Sequence, residues 1–144
     1  MAPFVVLVSV FVLLRTGGFI GWAYMDDWHH ALKWAVAAML LLTASAHWGK
    51  RRKDLIRMVP SSFPKPELIV TITGWLEIAG AVGIVIDRLS PVASVCLAVL
   101  FVAMFPANVR AAREKLTIAG APVPNLFVRT VLQLLFIAAV LLAG

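Results

Sequence analysis

Glu67-Leu-Ile-Val-Thr-Ile-Thr-Gly-Trp-Leu-Glu77-Ile-Ala-Gly-Ala-Val-Gly-Ile-Val-Ile86 is an apolar run with a single carboxylate near its centre. At 1.5 Å of rise per helical residue it covers about 30 Å, the thickness of a bilayer's hydrocarbon core. Glu77 falls close to mid-depth, where an ionisable group facing lipid is costly, so it is expected to face the inside of a helix bundle. Thr73, Gly74, Gly80 and Ala81 share its face at helical spacing. All four are small, which lets another helix come close. Leu76, Ile78 and Val82 point elsewhere and are free to meet lipid.

The whole composition agrees with that stretch. The 144 residues are 62% hydrophobic and 14% charged, against roughly a quarter charged in soluble domains. The net charge of +6 would suggest nucleic acid in a soluble chain. Here nine of the thirteen Lys and Arg fall in two short segments, Lys50 to Lys65 and Arg110 to Lys115. That is the pattern of a membrane-insertion signal, and no nucleic-acid partner is expected. The single cysteine, Cys96, excludes an intrachain disulfide, a CxxC pair and a cysteine metal cage, and reads as a small buried hydrophobe.

Five spans are expected in one transmembrane domain, 1–144, at about 4–23, 31–48, 67–86, 92–108 and 126–143. The first lacks a basic leader and a clean cleavage site and reads as a retained helix. Arg15, Thr16, Gly17 and Gly18 interrupt it. Either it ends near Leu14 with Arg15 at the interface, or it runs on to Trp22 with Arg15 inside the bundle; the interfacial aromatics Trp22, Tyr24 and Trp28 favour the longer helix. His29 and His30 read as a wetted loop pair, a poor metal site. Leu55, Met58 and Val59 alternate at helical spacing with Arg51, Arg52 and Arg57, which suits a short helix in the headgroup plane ended by Pro60. The fourth span is expected to end at Pro106-Ala-Asn108, with Arg110, Arg113 and Lys115 in a loop. Both basic segments are expected in the cytoplasm of a multi-pass plasma or inner membrane protein. That places the N-terminus inside and the C-terminus outside.

Two polar sets follow from depth. Glu77 and, on the longer reading of the first helix, Arg15 lie level, so an intramembrane ion pair between them is one expectation. The other is a neutral Glu77 hydrogen-bonded to Thr73 or a backbone carbonyl. His47, Asn108, Arg129 and Gln133 come from three helices at shallow depth near the basic end. They read either as a convergent small-molecule site or as ordinary helix ends.

The ordered set His47-Trp48, Asp54-Leu-Ile-Arg-Met-Val-Pro60, Pro64-x-Pro66, Thr73-Gly74-x-x-Glu77-x-x-Gly80-Ala81-x-Gly83, Phe105-Pro-Ala-Asn108 and Arg129-x-x-x-Gln133 resembles the DoxX-like family of small integral membrane proteins. The resemblance runs from about Ala46 to Gln133, with Trp48 where phenylalanine is common, and leaves the N-terminal helix outside. It implies an all-α polytopic bundle: a four-helix DoxX-like core plus one N-terminal transmembrane helix.

That family is named from a thiosulfate:quinone oxidoreductase, and its relatives resemble membrane components of redox-stress systems or assembly factors. The chain carries no facing haem-ligating histidines, no iron–sulfur cysteines and no nucleotide-binding glycine loop. The leading expectation is a non-catalytic accessory or assembly subunit, or a binder of a lipophilic small molecule. The bilayer and a membrane protein or second copy are its expected partners. The alternative is a quinone-linked redox subunit, with a quinone as the cofactor. No metal site is expected. Glu77 and His47 lead the candidate polar residues, followed by Asn108, Gln133, Arg15 and Arg129.

Overall fold

The computed structural model describes all 144 residues. Six helices account for most of them: α1 (Ala2–Ile20), α2 (Trp28–Ser45), α3 (Arg52–Met58), α4 (Pro66–Val85), α5 (Ser90–Arg113) and α6 (Leu126–Ala143). A 3-10 turn at Ala23–Met25 follows α1, and two two-residue strands, β1 (Thr117–Ile118) and β2 (Ala121–Pro122), pair antiparallel between α5 and α6.

Local chemistry sets the helix ends. Pro3, Pro66 and Pro91 sit in the first turns of α1, α4 and α5, where a missing N–H costs nothing. The Asp27 carboxylate accepts from the His29 N–H at 3.0 Å and starts α2 three residues earlier than expected. His29 and His30 therefore belong to the first helical turn and are not a loop. In α1, Gly17 and Gly18 are helical and the helix runs to Ile20, close to the longer of the two readings.

Pro106 does not end its helix. It withholds one N–H from the turn before it, yet α5 continues to Arg113, so Arg110 and Arg113 lie in its last turn and not in a loop. The cost of an internal proline is offset by packing of α5 against α4 and α6. Cys96, expected in the core, lies on the exposed side of α5.

α2 occupies the middle of the bundle, against α1, α4 and α6, while α5 closes the layer against α4 and α6. Val36, Leu40, Ile84, Leu97 and Val140 form the centre of the core. The small residues of α4 act as expected: a side chain on Gly80 would collide with Leu97, and one on Gly83 with Ala93. Leu76 and Val82 are exposed.

Four helices, α1, α4, α5 and α6, are long and apolar enough to cross a membrane. α2 has the length but falls short in hydropathy, because Trp28, His29, His30 and Lys33 crowd its first turns and alanines fill much of the rest. Lys33 and the alanine-rich middle are buried against neighbours while Trp28 stays exposed, so the helix at the centre needs less apolar surface than those around it.

The two basic segments meet at one end. Arg110 donates to the Val59 carbonyl, and the Asp54 carboxylate accepts from the Ala119 N–H at 3.0 Å. Met58 and Val59 are buried, and α3 packs on α4 and α5, so this apolar side is taken up by the bundle and is not left for headgroups. At the opposite end Lys33, 5% exposed, donates to Asp87 at 2.8 Å.

Candidate functional site

Glu77 and His47 come together. Glu77 is 2% exposed on the inner face of α4, and His47, 4% exposed, hangs from the turn just after α2. His47 Nε2 lies 3.6 Å from Glu77 Oε1, while Nδ1 lies 2.6 Å from the Val70 carbonyl. A carbonyl only accepts, so Nδ1 carries a proton and Nε2 is the atom turned to Glu77. Either an imidazolium faces a carboxylate or a neutral imidazole faces a carboxylic acid; the pair is neutral in both forms. That neutrality is what makes the burial tolerable.

The remaining valences are met by backbone and hydroxyls. Thr43 Oγ1 lies 2.8 Å from Glu77 Oε2 and 2.9 Å from the Leu40 carbonyl. Its one hydrogen serves one of them at a time, donated to the Glu77 carboxylate or to the Leu40 carbonyl. Gly74 gives the imidazole its seat, since a Cβ there would stand 2.8 Å from His47 Cβ and 2.7 Å from the Trp48 ring. Arg52 locks the turn from the basic end, donating to the His47 carbonyl at 2.7 Å, the Glu67 carbonyl at 3.1 Å and Thr71 Oγ1 at 2.9 Å. Trp48 and Trp75 meet edge to face, ring centroids 5.3 Å apart, and both are exposed beside the pair.

Arg15 is elsewhere. Its guanidinium donates to the carbonyls of Met25 and Asp26 and stands 3.6 Å from the Asp26 carboxylate, so the expected Arg15–Glu77 pair does not form. α2 stands between α1 and α4, and close packing of Gly18 on the Met25 backbone folds the turn after α1 back to the level of Arg15. Level depth did not mean contact. Thr73 is not Glu77's partner either; its hydroxyl donates into its own helix, to the Ile69 and Val70 carbonyls.

The shallow polar set divides. Asn108, Gln133 and Arg129 form one chain between α5 and α6: Arg129 donates to Asn108 Oδ1, Asn108 Nδ2 donates to Gln133 Oε1 at 2.9 Å, and Gln133 donates to the Phe101 carbonyl. Arg129 Nε is buried without a partner. His47 belongs to Glu77 and not to this chain. No three His, Cys, Asp or Glu side chains converge as a metal site would require.

Sequence reasoning missed Thr43, the structural use of Arg52, and the Lys33–Asp87 pair. Lys33 was the readable signal, a lone cation in an alanine- and leucine-rich run that must find a carboxylate. Thr43 carried none, because a threonine near a helix end usually bonds its own backbone.

A family model described as a domain of unknown function (DUF8561) matches residues 36–143, which takes in α4, α5, α6 and most of α2. No curated protein and no solved structure matches the chain.

Proposed function

The chain belongs to the DUF8561 family, a domain of unknown function, and from that premise we propose that it is a multi-pass membrane protein acting as a non-catalytic accessory or assembly subunit. In this reading α2 is a fifth span beside the four apolar helices, and the basic end lies in the cytoplasm, with the N-terminus inside and the C-terminus outside. The observation that carries the reading is that His47 and Glu77 are both buried and turned toward each other between α2 and α4. Nδ1 is spent on Val70 and Oε2 on Thr43, Nε2 and Oε1 face each other at 3.6 Å, and Gly74 is packed against the ring. The pair turns its polar atoms into the bundle and joins α2 to α4. The motifs resembling the DoxX-like family add a precedent among its assembly factors.

A second reading, a quinone-linked redox subunit, draws on one feature. The 3.6 Å between Nε2 and Oε1 exceeds a direct hydrogen bond, which leaves Nε2 a valence for a quinone carbonyl beside Trp48 and Trp75. Native mass spectrometry of the full chain, released gently from its own membranes, separates the two. A stoichiometric protein partner or second copy without quinone supports the first. A stoichiometric quinone lost in Glu77→Gln or His47→Ala overturns it in favour of the second.

A further inference from the structure

One face of α5 links the lipid-exposed side of the bundle to its basic end. Val95, Val99, Val102, Pro106, Val109 and Arg113 fall at alternating spacings of four and three and so share one narrow stripe. Val95, Val99, Val102, Pro106 and Arg113 are exposed, and Val109 is half-buried. The stripe ends in a trough of about 310 Å³ whose walls are the Pro60–Ser61 corner after α3 and the last turns of α5, with Arg110, Arg113 and Glu114. Arg110 is fixed there by the Val59 carbonyl and Glu114, which holds the corner against α5 and leaves Glu114 neutralised. Arg113 makes no ion pair, and the Ser61 side chain is exposed.

We propose that this trough binds the headgroup of an anionic phospholipid, with Arg113 holding the phosphate and an acyl chain lying along Val109, Pro106 and Val102. The dimensions fit. Arg113 to Val102 is about 16 Å along the helix, half the thickness of the hydrocarbon core. The charge fits too: seven exposed cations, Lys50, Arg51, Lys53, Arg57, Lys65, Arg113 and Lys115, surround this end, and guanidinium is the donor best shaped for phosphate. A diffuse basic surface would use these cations interchangeably. A built site depends on Arg113, the only one of them on the valine stripe.

The site rests on the membrane-spanning reading, and an alkaline carbonate wash of the membranes tests that reading separately, since it releases peripheral but not spanning proteins. The site itself is tested on the purified full chain offered phosphatidylglycerol or phosphatidylcholine and read by native mass spectrometry. The wild type is expected to retain phosphatidylglycerol over phosphatidylcholine. Arg113→Gln should weaken that retention about tenfold, the scale of one charge-assisted hydrogen bond, while Arg51→Gln, which removes an equal charge off the stripe, leaves it unchanged. Equal retention of the two lipids, or equal losses in Arg113→Gln and Arg51→Gln, overturns the proposal. Both arginines are exposed, so neither variant threatens the fold.

Discussion

The imidazole of His47 occupies the space that any side chain on Gly74 would need. A Cβ at that position would come within 2.8 Å of His47 Cβ and 2.9 Å of Cγ, with the Trp48 ring closing the other side. Helix α4 can therefore receive the turn after α2 only through a glycine. Gly74→Ala should cost about 1–3 kcal/mol, the usual range for overpacking, and lower the melting temperature in detergent. Gly17→Ala, whose Cβ would make an ordinary 3.5 Å contact with Trp22, should not.

The Lys33–Asp87 pair predicts an acid limb. Lys33 holds the Asp87 carboxyl below its ordinary range, first through its hydrogen bond and then through its charge. A carboxyl with a depressed folded-state pKa stabilises fully above its unfolded value, about 3.9. It loses that stabilisation as pH falls through the lower folded value. Melting in detergent should decline below about pH 4, and Asp87→Asn should shrink that decline. Asp54, lowered chiefly by its bond from the Ala119 N–H and then by Arg57, supplies part of the same limb and keeps it from vanishing.

Asn108 is the middle of the chain from Arg129 to Phe101. Asn108→Ala strips Arg129 and the Gln133 carbonyl of their partners together and should cost about 1–3 kcal/mol. Asn108→Asp keeps an acceptor for Arg129 and adds a countercharge, so thermal melting should show it to be milder. The reverse order would mean that the bond to Gln133, not the one to Arg129, matters most.

Arg15 supports the turn after α1 and has no tie to Glu77. Arg15→Gln should shift melting modestly, and its effect should add to that of Glu77→Gln, as expected of sites without shared partners. Non-additivity in that double variant would restore the discarded pair.

The long helices were readable as largely apolar runs bounded by proline, aspartate or a basic cluster, and α3 from its apolar and basic residues at helical spacing. The inward face of α4 was readable because Thr73, Gly74, Gly80 and Ala81 break an otherwise bulky sequence. Pairing was harder. Depth along a helix says which residues are level, but rotation and neighbour order decide contact, and α2 standing between α1 and α4 was invisible in the pattern. Hence Arg15 was paired with the wrong carboxylate, and His47, which faces Glu77, was grouped with the wrong polar set. The continuation of α5 through Pro106 was hidden for a similar reason, since packing on two neighbours outweighs a local helix breaker.

The central claim is that His47 and Glu77 act as one unit joining α2 to α4, and a double-mutant cycle tests it most directly. Melting of the wild type, His47→Ala, Glu77→Gln and the double variant in one detergent gives the coupling energy. The account predicts a coupling above the ~0.6 kcal/mol average of interhelical hydrogen bonds in membranes, with the double variant scarcely worse than either single one. Two effects that simply add would contradict it, and would make Glu77 and His47 separately buried residues rather than a lock.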